Sequence, residues 1–305
     1  MRHYLSVDDL APIELEALLD LSVELKADRR LHADALGGRS VALIFEKPST
    51  RTRVSFEVGV AELGAHPVVL SSGELQLGRG ETIQDTGRVL SRYVDAVVLR
   101  TFEQERLELL TTTATVPIVN ALSDFEHPCQ ALADMLTMRE RLGALAGRTL
   151  TYLGDGNNVA HSLLLAATKM GMAVRVATPP GFEPIPQVVQ RAEEIAAETG
   201  GSVELTHDPE EAATGANALY TDVWASMGQE EEANERALVF PAYQVTQKLV
   251  DLAAPDVIVL HCLPAHRGLE ITDEVIDGPH SAVWDQAENR LHTQKALLLR
   301  LFGAA

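Results

Sequence analysis

The sequence predicts two α/β domains, each built around a doubly wound parallel sheet. Short apolar runs alternate with amphipathic stretches between residues 40 and 142, and the same alternation starts again at residue 149. This alternation of strand and helix patterns is typical of a parallel sheet covered by helices on both faces. The chain has 305 residues, which is enough for two domains of ordinary size. The glycine-containing stretch at 143–148 marks the boundary between the two series.

The composition argues against several classes of partner. Apolar residues make up 46% of the chain, and no apolar run approaches the length of a membrane span. The first 30 residues lack the basic-then-apolar order of a signal peptide, so we expect a cytoplasmic protein. The formal charge of -19 argues against nucleic acid or an anionic membrane as a partner. The acid excess fits either a salt-rich cytoplasm or a GC-rich genome, and both stay open.

The first series opens with an amphipathic helix over residues 8–27, where Leu10, Ile13 and Leu18 stand at helical spacing. Strand-like runs follow at 40–45, 66–71, 96–101 and 117–122, with helical stretches near 50–63, 82–93, 103–112 and 129–142. In sheets of this type, ligands bind at the carboxyl ends of the strands. We therefore expect the functional side chains to follow these strands directly.

The turn after the first strand has the composition of an anion site. Four successive polar side chains stand where the next helix begins: Ser49, Thr50, Arg51 and Thr52. The free N–H groups and the positive dipole end of that helix favour a bound phosphate. Ser49 is the predicted N-cap, and Val54 and Val58 form the predicted core face. A cap beside a solvated charged edge is the alternative that this turn alone leaves open.

Two further segments reach the same edge of the predicted sheet. Arg100 ends one strand, and His127 and Gln130 follow another, so they converge with the Ser49–Thr52 turn. Taken singly, Arg100 is typical of a surface residue and His127 of a loop donor. Their convergence favours a phosphate site. A nucleotide phosphate is not expected, because no glycine-rich GxxxxGK[ST] loop precedes the helix.

The second series repeats the alternation of strands and helices. Its strands cover 149–153, 173–178, 202–206, 218–223 and 257–262, with a proline-rich link at 179–186 and an acidic helix near 187–198. An apolar helix over about 286–303 closes the chain. We expect this helix to pack back on the first domain, where Arg290 adds a further positive charge.

The Gly154–Asn158 turn follows the first strand of the second domain and is similar to a dinucleotide-binding loop. Val159 stands where such a loop has its third glycine, and the next strand ends without an acidic ribose ligand. NAD is therefore not expected. Asn158, at the start of a helix, is instead a candidate to bind a polar group of a substrate.

Two later loops complete the candidate site. The loop 222–229 offers Asp222, Ser226 and a flexible glycine, which suit the ammonium and carboxylate of an amino acid, and the loop 261–268 adds the thiol of Cys262. A metal site is the alternative interpretation, since the chain offers several potential ligands: His127, Cys129, His261, Cys262 and His266. The CxxC and HExxH spacings of such sites are missing, so no metal is expected.

The assembled motifs closely resemble those of the ornithine carbamoyltransferases, within the aspartate/ornithine carbamoyltransferase superfamily. The resemblance covers essentially the whole chain and rests on motifs in fixed order: STRT at 49–52, HPCQ at 127–130, GDGNN at 154–158, DVWASMGQ at 222–229, HCLPAHRG at 261–268 and ENRLHTQKALL at 288–298. In this superfamily STRT and HPxQ mark the use of carbamoyl phosphate, whereas the SMG loop and the HCLP segment distinguish ornithine enzymes from aspartate enzymes. Glu126 departs from the family pattern, in which the residue before HPxQ is usually aromatic.

The resemblance implies transfer of the carbamoyl group of carbamoyl phosphate to the δ-amine of L-ornithine, giving L-citrulline and phosphate, without a cofactor. The residues implied to bind carbamoyl phosphate are Ser49, Thr50, Arg51, Thr52, Gln76, Arg100, His127, Gln130, Cys262, Leu263 and Arg290. Those implied to bind ornithine are Asn158, Asp222, Ser226 and Met227. The implied catalytic residues are Arg100, His127, Asp222 and Cys262.

The resemblance also implies a carbamoyl-phosphate domain at 1–142 and an ornithine domain at 147–285, with the active site in the cleft between them. It further implies a homotrimer in which Gln76 reaches the site of a neighbouring subunit. Arginine biosynthesis is the expected pathway, although the sequence leaves the catabolic direction and larger assemblies open. Two alternative functions also stay open: a carbamoyltransferase for another acceptor, such as putrescine or an acylated ornithine, and a non-catalytic binding protein.

Overall fold

The computed structural model of the protein describes residues 2–71, 80–225 and 233–305. The chain forms two compact units, one of residues up to 133 together with 288–305, and one of residues 134–287. Within the described residues, the first unit contains a 4-stranded sheet and the second a 5-stranded sheet. Every strand pair in both sheets is parallel. The predicted fold class, two α/β domains with parallel sheets, is confirmed.

The elements of the first unit follow the predicted order. The strands are β1 (Ser40–Phe45), β2 (His66–Ser71), β3 (Ala96–Arg100) and β4 (Ile118–Leu122), in the sheet order β2-β1-β3-β4. The helices are α1 (Pro12–Ala27), α2 (Arg51–Glu62), α3 (Ile83–Leu90), α4 (Gln104–Thr111) and α5 (Pro128–Leu142). All of β3 is buried, as expected for a central strand covered on both faces.

The second unit has the sheet order β7-β6-β5-β8-β9. Its strands are β5 (Thr149–Leu153), β6 (Ala173–Ala177), β7 (Ser202–Thr206), β8 (Ala218–Thr221) and β9 (Ile258–His261). Its helices are α6 (Asn158–Lys169), α7 (Pro186–Thr199), α8 (Pro209–Ala213), α9 (Ala233–Val239), α10 (Gln247–Leu252) and α11 (Asp273–Ile276). The last helix, α12 (Val283–Phe302), begins here, and its residues from 288 onward belong to the first unit. Among the described helices, none is long and apolar enough to cross a membrane.

Both sheets reverse their winding direction beside a strand that leads into a candidate site. In the first unit the reversal lies between β1 and β3, and in the second it lies between β5 and β8. Ligands of open parallel sheets bind at such reversals, because the connections leave in opposite directions and open a crevice.

Two details predicted for the turn and helix after β1 are wrong. Thr50 rather than Ser49 is the N-cap residue of α2, and the Thr50 side chain makes no capping hydrogen bond. Val54 is 53% exposed. The buried face consists of other residues: Thr52, Phe56, Gly59 and Val60. The cause is close packing on α12, since a Cβ on Gly59 would lie 3.2 Å from Lys295 Cγ.

The opening helix also differs from its prediction. A 3-10 turn over Val7–Asp9 comes first, and α1 begins only at Pro12, whose fixed φ suits the first turn of a helix. Ile13, predicted on the core face, is 70% exposed. The buried face is formed by Leu15, Leu18, Leu19, Ser22 and Leu25.

Candidate active site

The carboxyl ends of three strands in the first unit bear the residues predicted to bind phosphate. β1 leads into the Ser49–Thr52 turn, β3 ends at Arg100, and His127 immediately precedes α5, after β4. In the sheet register Phe45 pairs with Arg100, and Arg100 pairs with Leu122. Parallel pairing therefore brings the three segments to one edge of the sheet.

Arg290 on α12 connects two of these segments. Its guanidinium donates to Gln130 Oε1 at 2.8 Å and also to Thr52 Oγ1. All three side chains are buried. Because a guanidinium is a rigid fork, the two hydrogen bonds fix the first turn of α2 relative to α5.

His127 is buried beside three arginines. Burial, together with the positive charges of Arg290, Arg100 and Arg51, holds the pKa of His127 well below its ordinary value of 6.5. The imidazole is therefore neutral at pH 7, whereas the guanidinium groups near it are charged. Such a pocket attracts an anion, and a neutral imidazole keeps one N–H that can donate to it.

Glu126, the departure from the family pattern, is directed toward the N-terminal segment. Its carboxylate accepts hydrogen bonds from the Val7 N–H at 3.0 Å and from the Ser6 hydroxyl at 2.5 Å. The side chain is fully buried. Burial first, and then the nearby arginines, lower the pKa of His127. Glu126 thus anchors residues 6 and 7 beside the start of α5.

In the second unit, Asp222 lies between a thiol and an amide. Its Oδ1 accepts a hydrogen bond from the Cys262 S–H at 2.9 Å, and its Oδ2 accepts one from Asn157 Nδ2 at 3.0 Å. These residues follow β8, β9 and β5, which are neighbours in one sheet. Asp222 is only 6% exposed. A buried carboxylate of this kind favours a bound amine, because attraction between opposite charges is stronger away from water.

The sequence patterns pointed to Asn158 and missed Asn157. Asn157 is the N-cap of α6, and its Oδ1 accepts the N–H groups of Val159 and Ala160, whereas Asn158 is the first helical residue. The preference of helix N-caps for asparagine is a signal that identifies Asn157 as a cap. No local signal shows its contact with Asp222, which lies 65 residues further along the chain.

Gly156 explains why the Gly154–Asn158 turn is similar to a dinucleotide loop. A Cβ at Gly156 would lie 2.3 Å from Pro184 N and 2.6 Å from Phe182 O. The Gly156 N–H donates to the Phe182 carbonyl at 2.8 Å. The glycine is therefore required by the close approach of the chain's own backbone, and a pyrophosphate is not needed to account for it.

His261 supports the turn that presents Cys262. The Leu263 N–H donates to His261 Nδ1 at 2.8 Å, so the ring proton of a neutral His261 is on Nε2, which lies 3.0 Å from Glu270 Oε1. Leu263 has a φ of 59°, a left-handed conformation that costs energy for a non-glycine residue. The contact with His261 helps to hold this conformation.

The residues around Cys262 also include potential ligands for a metal ion, the alternative interpretation of this site. Asp222, His261 and Cys262 offer ligand atoms that all lie within 4.8 Å of one another. Both ring nitrogens of His261 are already engaged, with Leu263 and with Glu270. A metal ion at this position would have to displace one of these hydrogen bonds, so the expectation of no metal stays a prediction that this geometry favours.

The remaining predicted residues divide into two groups. Gln76, Ser226 and Met227 lie outside the described residues. Around the start of α2, Thr50 is exposed, and Ser49 and Arg51 are half-buried. The first unit thus brings together Thr52, Arg100, His127, Gln130 and Arg290, and the second unit brings together Asp222 and Cys262.

Two family models match nearly the whole chain. The carbamoyl-P binding domain of aspartate/ornithine carbamoyltransferase matches residues 2–140, and the Asp/Orn binding domain of the same family matches residues 146–301. The chain belongs to the aspartate/ornithine carbamoyltransferase family. The resemblance stated from the motifs is therefore confirmed.

Individual family members are similar over their full lengths. The ornithine carbamoyltransferase of Parafrankia sp. (strain EAN1pec) is 64% identical over 97% of this chain and 95% of its own length. Among solved structures, the ornithine carbamoyltransferase from Pyrococcus furiosus is 54% identical with a TM-score of 0.96, covering 99% of this chain and 97% of that one. An N-acetyl-L-ornithine transcarbamylase mutant is 32% identical with a TM-score of 0.89, covering 99% of this chain and 100% of that one.

Proposed function

We propose that this family member transfers the carbamoyl group of carbamoyl phosphate to the δ-amine of L-ornithine, giving L-citrulline and phosphate. The observation that supports it most directly is the buried, neutral His127 near Arg51, Arg100 and Arg290. A substrate with two negative charges and a reactive carbonyl suits this combination of charged donors and one neutral donor. The high identity to proteins named ornithine carbamoyltransferase supports the choice of acceptor.

The first unit would hold carbamoyl phosphate by its charges. The phosphate group lies at the N-terminal turn of α2, with Ser49, Thr50, Arg51, Thr52 and Arg100 as donors, and Gln76 is supplied by a neighbouring subunit. Thr52, Arg100 and His127 face the carbonyl oxygen, while Gln130 and Arg290 bind the carbamoyl end. Negative charge grows on the carbonyl oxygen during attack, and a donor placed for that oxygen contributes about 3 kcal/mol.

The second unit would hold ornithine and present its amine. Asn158, Ser226 and Met227 bind the α-amino and α-carboxylate groups, while Asp222 and Cys262 orient the δ-amine. The nitrogen must attack as the neutral amine, so the site has to favour loss of a proton from a group that resembles lysine in water. The new C–N bond forms, the C–O bond to phosphate breaks with its electron pair, and the phosphate takes up the proton that the nitrogen loses.

The biological setting is part of the same proposal. We infer a cytoplasmic enzyme that works toward citrulline in arginine biosynthesis, and this direction is supported by the 54% identical relative from Pyrococcus furiosus that is named anabolic. We also infer a homotrimer of 33.0 kDa protomers. Light scattering of the purified protein at several concentrations tests the trimer, since a monomer or a dimer at all concentrations would contradict it.

The deciding experiment is an acceptor comparison with the purified protein. Carbamoyl phosphate is supplied with L-ornithine, and citrulline and phosphate are both measured, with putrescine, aspartate and N-acetylornithine as the other acceptors. We expect equal amounts of citrulline and phosphate with ornithine and no carbamoylated product with the others. A product only with another acceptor would overturn the assignment of ornithine, and a folded protein that forms no product would support a binding protein.

A further inference from the structure

Asn157 makes two different sets of hydrogen bonds with the two ends of its amide. Its Oδ1 accepts the N–H groups of Val159 at 2.9 Å and Ala160 at 3.2 Å, and the hydroxyl of Tyr152 at 3.2 Å. Three donors therefore converge on this oxygen. The orientation of the amide is fixed as a result, and the NH2 group faces Asp222.

Asp222 depends on Asn157 for the position of one carboxylate oxygen. Oδ2 accepts the amide N–H at 3.0 Å, while Oδ1 accepts the thiol of Cys262 at 2.9 Å. With both oxygens engaged at opposite sides, rotation of the carboxylate about its last bond would break at least one hydrogen bond. A buried carboxylate held in this way presents its charge in one direction.

We propose that Asn157 is a positioning residue that sets the orientation of Asp222 for the acceptor amine, linking the helix cap of α6 to the acceptor site. This inference rests on the proposed function for its kinetic part. A role in capping alone would require only the Oδ1 side of the amide. The two roles can be separated because serine and aspartate are also good N-caps. An ionised aspartate has no donor, and the shorter serine side chain carries no donor at the position of the amide NH2.

The kinetic test compares Asn157→Ser with Asn157→Asp. Both variants keep an oxygen that caps α6, so Asn157→Ser should melt close to the original protein, whereas Asn157→Asp should be less stable because it places a second carboxylate beside the buried Asp222. If Asn157 positions Asp222, Asn157→Ser lowers kcat/KM for ornithine by about tenfold to hundredfold, the effect of losing a hydrogen bond to a charged group. Asn157→Asp lowers it further, because it sets a second carboxylate against Asp222. The KM for carbamoyl phosphate stays unchanged in both variants.

A matched control is available at Asn217. Its Oδ1 accepts the Thr149 N–H at 3.0 Å, at the opposite ends of the strands from Asp222. We expect Asn217→Ser to leave the ornithine kinetics unchanged. The inference is overturned if Asn157→Asp retains at least as much activity as Asn157→Ser. Asn157 would then matter only as a helix cap, a role in which aspartate is about as good as serine. The inference is also overturned if Asn157→Ser behaves like Asn217→Ser.

A second measurement does not depend on the reaction. Cys129 is buried, with its pKa raised to about 12, so iodoacetamide should alkylate only the partly exposed Cys262. Loss of the amide donor leaves the Asp222 carboxylate a stronger acceptor for the thiol proton, so alkylation at about pH 8 should slow in Asn157→Ser and slow further in Asn157→Asp. Unchanged rates in both variants would overturn the contact. If the original protein forms no citrulline, the proposed function fails, while these rates still decide the role of Asn157.

Discussion

Arg290, on the last helix of the chain, donates a hydrogen bond to Gln130 Oε1 on α5 at 2.8 Å. The same guanidinium donates to Thr52 in the first turn of α2. Residues far apart in the sequence thus meet at one arginine, in the region where the motifs predict the carbamoyl group. Burial of all three side chains makes this contact sensitive to the shape of the cation as well as to its charge.

Replacing Arg290 with lysine should therefore damage the carbamoyl-phosphate site. A lysine ammonium is a point charge on a flexible stem and cannot reproduce the two directed hydrogen bonds to Gln130 and Thr52. We expect kcat/KM for carbamoyl phosphate to fall about tenfold to hundredfold, the effect of losing hydrogen bonds made by a charged group at the carbamoyl end of the substrate. Steady-state kinetics at saturating ornithine measure it. Arg300→Lys on the same helix is the control, since Arg300 pairs with Glu14 near the surface, and an equal loss there would contradict the prediction.

The pKa of His127 predicts a difference in stability that grows as the pH falls. The folded protein keeps His127 neutral well below 6.5, whereas the unfolded chain binds a proton near 6.5. Acid therefore favours unfolding, and His127→Gln removes this effect. Below pH 6.5, the original protein should lose about 1.4 kcal/mol of unfolding free energy per pH unit relative to the variant.

Urea unfolding between pH 8 and pH 5 measures this difference. Above pH 6.5 the difference between the two proteins should be constant, because neither state of His127 binds a proton there. His66→Gln is the control, since His66 is exposed. A difference between the original protein and His127→Gln that stays constant down to pH 5 would show that His127 is protonated in the folded protein.

The fold could be predicted because its parallel strands are buried on both faces. A strand such as β1 then appears in the sequence as an unbroken run of apolar residues. The end of that run shows where the Ser49–Thr52 turn follows the strand. The face of α2 could not be predicted in the same way. Its contact with α12 is lined by Thr52 and Gly59, which no hydrophobic pattern marks as buried.

The site could be predicted only in part, because some of its residues contact side chains that are distant in the sequence. The motifs identify Asp222 and Cys262, but the sequence around Asn157 shows no sign of its contact with Asp222. Glu126 stands out in the sequence only as a departure from a pattern, because Ser6 and Val7, which it contacts, precede it by 120 and 119 residues. A buried charge is explained by what it contacts, and local spacing does not carry that information.

Gly156→Ala should destabilise the second unit and disturb the neighbouring Asn157. A methyl group there would lie 2.3 Å from Pro184 N, a backbone atom that cannot rotate away. We expect a loss of about 3 kcal/mol in unfolding free energy, at the upper end for overpacking, and a lower kcat/KM for ornithine. Gly181→Ala is the comparison, with open space around it but a φ of 89°, and it should cost about 1–2 kcal/mol. If Gly181→Ala is the more damaging variant, backbone conformation rather than space controls this region.

The largest loss of unfolding free energy is predicted for replacement of Arg236. It is 6% exposed, and its Nη1 donates to Asp155 Oδ2 at 2.8 Å and to the Trp224 carbonyl at 2.7 Å. Its guanidinium also lies 4.9 Å from the ring centre of Phe182. Arg236→Met keeps apolar bulk beside the ring but leaves Asp155 as a buried charge without this partner. We expect the unfolding free energy to fall by about 3–5 kcal/mol.

A double variant distinguishes the buried charge from a simple loss of packing. Adding Asp155→Asn to Arg236→Met should recover part of the lost stability, because it removes the charge that the arginine had compensated. Arg191→Met is the surface control, since Arg191 and Glu194 are about half exposed, and it should change the unfolding free energy by less than about 0.5 kcal/mol. Denaturant unfolding of the four proteins gives the coupling between Asp155 and Arg236 directly. If the double variant is as unstable as the sum of the two single variants, the pair does not act through its charges, and the loss comes from the Trp224 contact and the packing on Phe182.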